Sequence, residues 1–186
     1  MFFFMDLSLR DIVEGSFDDY RDWIDRVRGH GHSFDYELSV ADKFYSFDFT
    51  SRDRICIGTC VINEFILNAI KSLLGVHDFS DIINRRYSPV VFERKVPFIK
   101  GTLDVVKDGY FIAVDDNGPG ISSENIKRIW ERNFSTFGTN GLGLAGAQEV
   151  VRGNYGGKIE VSSEMDKLTR FSVYLPSRAK KLFNQV

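Results

Sequence analysis

Two stretches of the sequence carry apolar residues at helical spacing. In residues 7–27 such positions recur at roughly helical intervals, with an interruption near Gly15 and Ser16. In residues 53–74 the repeat is more regular, and its apolar stripe is formed by Ile57, Val61, Phe65, Ala69 and Leu73. This spacing places the side chains on one face of a helix. We predict one or two short helices near the N-terminus and one long helix that packs on a sheet.

Alternation of apolar and polar residues predicts the strands of that sheet. The alternating stretches are 34–40, 44–49, 102–106, 110–114, 158–162 and 169–175. The first two are predicted to pair at the first edge of the sheet, and the next two to form a hairpin around residues 107–109. Short helices are predicted from Ser122 or Ser123 to Trp130 and from Leu144 to Val151. Residues 77–95 have no clear pattern and are predicted to be an irregular insertion.

Composition and charge exclude several classes of protein. The formal net charge of -2 leaves no basic excess for binding nucleic acid. The apolar start at residues 1–5 is interrupted by Asp6 and Arg10 before a signal peptide or a membrane span is complete, which predicts a cytoplasmic protein without a membrane segment. Cys56 and Cys60 have no second cysteine pair or nearby histidine, so they are predicted to be buried small side chains.

Three polar side chains of the long helix share a face that differs from the apolar stripe. Glu64, Asn68 and Lys71 lie at i, i+4 and i+7. The amide oxygen of Asn68 is suited to a Mg²⁺ ion that holds nucleotide phosphates. Glu64 can accept a proton from an attacking water or hydroxyl, or order the waters of the metal, and Lys71 can neutralise phosphate charge. A solvated helix face is the alternative interpretation.

Two glycine-containing motifs follow. Asp116, Gly118 and Gly120 belong to Asp-Asn-Gly-Pro-Gly, which ends a strand with an acid and lets the backbone pass close to a ligand. A buried carboxylate there can accept a hydrogen from the amino group of adenine, and a tight turn is the alternative. Residues 138–144 (GTNGLGL) form a glycine-rich loop that opens a helix, where free N–H groups favour phosphate. A flexible connection is the alternative here.

Taken in this order, the motifs resemble those of the GHKL superfamily of gyrases, heat-shock chaperones, histidine kinases and mismatch-repair ATPases. The resemblance covers residues 34–176 and is strongest to the histidine kinase catalytic domain. Residues 64–71 resemble the N box, 114–121 the first glycine box, 129–136 the phenylalanine box and 138–144 the second glycine box. The resemblance implies an α+β Bergerat fold: a two-layer α/β sandwich whose mixed sheet has helices on one face, with an ATP lid between the N-box helix and the glycine box.

The resemblance also implies roles for single residues. Asn68 would bind Mg²⁺, Asp116 the adenine amino group, and the hydroxyl of Thr169 would support the adenine side. Glu64 and Lys71 would be catalytic, with ATP and Mg²⁺ as cofactors. Phe134 would anchor the lid. The expected nucleotide-binding positions are Asn68, Asp116, Gly118, Gly120, Phe134, Gly138, Gly141, Leu142, Gly143, Leu144 and Thr169.

Three features depart from a complete histidine kinase. Glu64 stands where many of these kinases carry asparagine and the ATPases carry glutamate. Phe137 stands where some kinases with a short lid carry lysine. Nothing before Phe34 resembles the helical hairpin of the phosphoacceptor histidine, and His30 and His32 lie in a glycine-broken segment that predicts a loop. If the chain is complete, the phosphoacceptor is on another protein.

The predicted function is phosphoryl transfer from Mg-ATP to a histidine on a partner protein in signal transduction. Two alternatives stay open: an ATPase with Glu64 as general base, and a non-catalytic nucleotide-sensing regulator or adaptor. We divide the chain into an N-terminal helical segment (1–33), the ATP-binding domain (34–178) and a basic tail (179–186). The partners expected are ATP and a phosphoacceptor or regulated protein. The N-terminal stripe predicts either a homodimer surface or packing on its own domain.

Overall fold

A mixed five-stranded sheet is the framework of the protein. The structure is a computed structural model that describes residues 9–41, 56–87, 95–136 and 140–177. The strands are β1 (Asp35–Val40), β2 (Phe98–Val106), β3 (Gly109–Asp116), β4 (Lys158–Glu164) and β5 (Leu168–Pro176). They are ordered β1-β2-β3-β5-β4, with β1 parallel to β2 and all other neighbours antiparallel. The predicted α+β class and the hairpin are confirmed, and the predicted strand at 44–49 lies outside the described residues.

Helices cover one face of this sheet. They are α1 (Leu9–Asp19), α2 (Arg21–Gly29), α3 (Asn63–Leu74), α4 (Phe79–Ile83), α5 (Ser123–Arg128) and α6 (Gly143–Glu149). Short π-helical segments, Gly58–Ile62 and Val150–Asn154, precede α3 and follow α6. Every second residue of the strands points at the helices, as the buried Ile99, Ile112 and Val173 show. The five strands therefore have one apolar face and one open face.

The long predicted helix is present and forms the centre of the core. All five members of its apolar stripe, from Ile57 to Leu73, are at most 3% exposed. Gly75 ends α3 in the left-handed conformation, and Asp78 caps α4 by accepting hydrogen bonds from Ser80 N and Asp81 N. The predicted irregular stretch thus contains a helix, because Asp78 and Asp81 form a capping box.

The segment from Gly58 to Ile83, which is helical except between α3 and α4, is long and apolar enough to span a membrane by length and composition alone. Half of its most apolar window is buried inside the domain. Its apolar side chains pack on the sheet, and the central helix of a folded domain commonly has such a composition.

The N-terminal helices pack on their own domain. The apolar side chains of α1 and α2 that face inward, Val13, Phe17, Ile24 and Val27, are at most 2% exposed. The break between the helices falls at Tyr20 and not near Gly15 and Ser16, because Ser16 is buried within α1 and helix formation continues through it. These four side chains are covered within the chain and are not available to a homodimer.

Residues that follow α3 hold these N-terminal helices. Trp23 of α2 stacks on Phe79 of α4 with ring centroids 5.4 Å apart. The Nδ1 atom of His30 lies 2.8 Å from the hydroxyl of Tyr87. The described part of the predicted insertion therefore serves as a packing partner for α2.

The prediction of two buried cysteines is wrong. Cys60 is exposed and Cys56 is half-buried, with their Sγ atoms 3.8 Å apart. Ile57 and Val61 take the inward positions of this turn, which turns the preceding residue of each toward the surface.

Gly101 of β2 allows α1 to approach the sheet. A Cβ atom at this position would lie 2.5 Å from Leu38 Cδ1 and 2.7 Å from Phe17 Cε2. We expect Gly101→Ala to lower the free energy of unfolding by about 1–3 kcal/mol, because the core around Phe17 must shift. Urea unfolding would measure the change.

Gly15→Ala is the matched control for that substitution. Nothing lies within 4 Å of a Cβ at Gly15, which is inside α1. This variant should gain about 0.5–1 kcal/mol from helix propensity. An equal loss of stability in both variants would contradict the packing argument.

Candidate nucleotide-binding site

A cavity of about 550 Å³ opens beside α3, the loop after β3 and the start of α6. This volume suits a small ligand. Gly138 and Phe137 lie outside the described residues. Gly118 donates its backbone N–H to the Asp116 carboxylate and does not itself line the cavity. The other predicted site residues all line it: Glu64, Asn68, Lys71, Asp116, Gly120, Phe134, Gly141, Leu142, Gly143, Leu144 and Thr169.

Asp116 supplies a buried carboxylate at the end of β3. Its side chain faces the helices, whereas that of Asp115 faces the open side of the sheet, because successive residues of a strand alternate. Asp116 is 2% exposed, and its Oδ1 accepts a hydrogen bond of 2.8 Å from Gly118 N. The pKa of Asp116 is raised to about 7, chiefly by burial, and this value includes the opposing effect of the Gly118 N–H and the smaller upward effect of the Asp115 charge.

Gly118 is required at its position by the carboxylate. A Cβ there would lie 2.7 Å from Asp116 Oδ1 and 2.9 Å from Ser72 Oγ. The glycine therefore keeps room for Asp116 to receive the backbone N–H and for Ser72 to reach the cavity.

Asp115 carries an ion pair on the opposite face of the sheet. The guanidinium of Arg170 donates two hydrogen bonds of 2.6 Å to its two carboxylate oxygens. The Asp115 side chain is 8% exposed and the Arg170 side chain 46%. The two consecutive aspartates thus have different surroundings. Asp115 is neutralised by Arg170, and Asp116 lines the cavity.

The side chain of Asn68 is held by hydrogen bonds from its amide nitrogen, which leaves its amide oxygen available. Its Nδ2 donates 2.9 Å hydrogen bonds to the carbonyl oxygen and to Oε1 of Glu64. Both partners are acceptors, so they fix the orientation of the amide. Within the described part of the chain no donor reaches the Asn68 oxygen, which leaves it for a ligand in the cavity.

Glu64 lies directly against the first residue of α6. A Cβ atom on Gly143 would overlap the Glu64 carboxylate, so any other residue here would push the end of that side chain aside. Helix α3 and the start of α6 therefore meet at Glu64.

The two ends of the cavity are separated along α3. Glu64 marks the end near Gly143, and Ser72 marks the end near Asp116 and Gly118. Eight residues of α-helix correspond to about 12 Å. A ligand with an amino-bearing ring at one end and phosphates at the other fits this axis.

The two ends of the predicted lid, at Asn133 and Gly141, lie close together. Asn133 N donates a 3.0 Å hydrogen bond to Gly141 O. Gly141 has φ of +61°, and a Cβ on it would overlap the backbone of Asn133 and Phe134, so this position requires glycine. Arg128 lies over the Phe134 ring at 4.3 Å from its centroid. Phe134 is therefore held at the base of the lid.

Several residues at the site were missed by sequence reasoning. Ser72 is four residues beyond Asn68, and extending the polar helix face by one turn would have found it. Arg132 donates hydrogen bonds to both Glu149 carboxylate oxygens, with distances of 2.7 to 2.9 Å, and thereby ties the lid base to α6. Ser163 contacts Thr169 across two strands, and no local pattern marks it.

The covered sheet and a cavity that joins a buried carboxylate to a polar helix face define an α+β nucleotide-binding domain. The chain belongs to the family of histidine kinase-, DNA gyrase B- and HSP90-like ATPases, whose sequence profile matches residues 59–179. The expected Bergerat-type fold is confirmed by solved catalytic domains of histidine kinases.

Three similar proteins illustrate this membership. A probable C4-dicarboxylate sensor kinase of Halalkalibacterium halodurans is 45% identical over 69 residues, which are 36% of this chain and 13% of that protein. The catalytic domain of histidine kinase ThkA has a TM-score of 0.63 at 19% identity, covering 93% of this chain and 97% of that chain. Full-length ShkA in complex with AMPPNP has a TM-score of 0.65 at 18% identity, covering 92% of this chain and 30% of that chain. The matched segment is thus a small part of the curated relative.

Proposed function

We propose that this chain is the catalytic domain of a histidine kinase-type protein, which binds Mg-ATP and transfers the terminal phosphoryl group to a histidine of a partner protein. The observation that carries the proposal is the axis of the cavity. Asp116 offers a buried acceptor at one end, and Asn68 offers an oxygen ligand near the other. Phosphoryl transfer depends mainly on positioning and charge neutralisation, which such a site supplies.

Mg²⁺ fits the residues near Glu64. The Asn68 oxygen is oriented by its amide nitrogen, which makes it suited to a hard cation. A bound Mg²⁺ would neutralise phosphate charge and hold the terminal phosphate for attack. Lys71 lines the same cavity one residue before Ser72, so its long side chain would have to extend back toward Asn68 to add positive charge near the phosphates.

Family membership and similarity to sensor kinases support a two-component signalling role. The relative from Halalkalibacterium is named a sensor kinase, and ShkA was solved with AMPPNP. In this proposal the domain works on the cytoplasmic side, where ATP is available, and its protein partner carries the phosphoacceptor histidine.

ATP hydrolysis with Glu64 as general base is the second candidate. It is favoured by the position of the Glu64 carboxylate, which contacts both Asn68 and the start of α6. A base placed beside the metal ligand could orient water as readily as a hydroxyl or imidazole.

Calorimetry with Mg-ATP, with released phosphate followed in the same samples, tests the proposal. For the full chain alone we expect binding and less than one phosphate released per protein, because in this proposal the acceptor histidine belongs to a partner protein that is left out of the assay. Glu64→Gln should then leave ATP affinity within about threefold, since Glu64 acts on the attacking group and not on the adenine.

Repeated turnover of ATP by the full chain would overturn the kinase proposal in favour of hydrolysis. In that case Glu64→Gln should slow phosphate release at least about 100-fold. Absence of ATP binding by the wild type would reject both candidates.

A further inference from the structure

A row of hydroxyl and carboxyl side chains crosses three strands at the adenine end of the cavity. Asp116 of β3 is paired with Thr169 of β5, and Thr169 is paired with Ser163 of β4. All three side chains point toward the helices, since paired residues of neighbouring strands share a face. Thr169 is 3% exposed and lines the cavity together with Asp116.

A hydrogen-bond chain leads to Thr169 from the loop after β3. Ile121 N donates a 2.9 Å hydrogen bond to Ser163 Oγ. Ser163 Oγ lies 2.9 Å from Thr169 Oγ1. The first link has a fixed direction, because a backbone N–H can only donate.

The first link favours one direction for the second. Ser163 accepts from Ile121 and has one proton of its own to donate. Within the described ranges Thr169 is its other hydrogen-bond partner, so of the two directions that this contact allows, donation to Thr169 Oγ1 is the one that uses the Ser163 proton. Thr169 then accepts from Ser163 and keeps its own proton for the cavity.

We propose that Ser163, by setting the direction of the Thr169 hydroxyl, makes this site selective for 6-aminopurine nucleotides over 6-oxopurine nucleotides. The inference rests on the proposed ATP site and deepens it. Asp116 supplies an acceptor and Thr169 a donor on the same row of the sheet. The edge of adenine offers the complementary pair, an amino donor and the N1 acceptor, either directly or through a water.

Hypoxanthine and guanine reverse this pattern. Each presents an oxygen acceptor at position 6 and an N–H donor at position 1, so an acceptor would face Asp116 and a donor would face a donor. Buried polar groups without partners are the strongest basis for rejecting a close analogue. Without Ser163, the Thr169 hydroxyl can rotate and accept from the N–H of a 6-oxopurine. Ser163 thus acts as a positioning residue for specificity, and it does not line the cavity itself.

Competition calorimetry of the full chain with ATP and with inosine triphosphate tests this role. In Ser163→Ala we expect the ratio of the two affinities to fall about tenfold from its wild-type value, through weaker ATP binding and unchanged or tighter inosine triphosphate binding. Ser163→Thr keeps a hydroxyl and should restore most of the ratio. Ser162→Ala is the matched control, because Ser162 is the exposed neighbour on the opposite face of β4, and it should leave the ratio unchanged.

Each outcome decides a separate point. Equal weakening of both nucleotides in Ser163→Ala would mean that Ser163 only supports the loop at Ile121, and the specificity role would be rejected. An unchanged ratio with unchanged affinities would reject it as well. Failure of the wild type to bind either nucleotide would instead reject the proposed ATP site.

Discussion

Asp116→Asn is expected to weaken Mg-ATP binding on the order of 100-fold. Two donors converge on this side chain in the proposed complex: Gly118 N–H and the amino group of adenine. A carboxylate can accept the two donors on separate oxygens, whereas an asparagine that keeps its oxygen on Gly118 N–H turns its NH₂ group toward the amino group of adenine. Turning the amide over moves the same conflict to Gly118 N–H.

The same substitution should stabilise the nucleotide-free protein near pH 8. Burial raises the pKa of Asp116 from 3.8 to about 7, so the folded state resists ionisation of this carboxyl. Because the folded-state pKa is the higher one, the stabilising contribution is complete below pH 3.8 and is lost as the pH rises through about 7. The wild type then bears a cost on the order of 2–4 kcal/mol that the neutral amide avoids.

Unfolding and ATP binding measured together across pH would check both parts. The difference in unfolding free energy between Asp116→Asn and wild type should shrink as the pH falls from about 8 to about 4. ATP affinity of the wild type should fall below pH 7, since binding needs the ionised carboxylate, and that of Asp116→Asn should not follow. A variant that is less stable at every pH would show that Asp116 serves the fold and not the ligand.

Asn68→Ala is expected to remove the gain in ATP affinity that Mg²⁺ provides, on the order of 100-fold. The variant loses the oriented amide oxygen, and Glu64 loses the N–H that contacts its Oε1. The measurement is the ratio of ATP dissociation constants with EDTA and with Mg²⁺. This ratio should approach one in the variant, while the affinity without metal stays near the wild-type value because Asp116 is intact.

Asn63→Ala provides the matched control for Asn68. Asn63 is the same residue type on the same helix, but it does not line the cavity. Its Oδ1 is buried, and within the described residues it has no hydrogen-bond partner. Its removal should leave the Mg²⁺ dependence unchanged. Equal effects of the two substitutions would contradict the assignment of Asn68 as metal ligand.

Local patterns were sufficient to predict the elements that build the cavity. The polar face of α3 and the glycine motifs each lie within a few residues of sequence, so helix periodicity and backbone requirements expose them directly. The structure brings Glu64, Asn68, Asp116 and Thr169 to one cavity. Their roles toward ATP and Mg²⁺ stay predictions that the substitutions above test.

Features that depend on distant pairing could not be predicted in this way. The parallel pairing of β1 with β2 joins Asp35 to Phe98 across 63 positions, and no local pattern indicates it, whereas the predicted pairing with 44–49 stays a prediction because that strand lies outside the described residues. Ser163 reaches Thr169 only through the register of β4 and β5. The exposure of Cys60 depends on which side of the helix packs inward, and that side is decided by the sheet beneath it.

The backbone hydrogen bond from Asn133 to Gly141 has a consequence for how such domains diversify. It joins the residue before the lid to the residue after it through backbone atoms only. No side chain of the loop takes part in this hydrogen bond. Insertions or deletions in the middle of this loop, beyond Phe134, add only a small closure entropy and leave its two ends in place. The loop can therefore vary in length and composition during evolution, or be exchanged between relatives, while the sheet and helices around it stay the same.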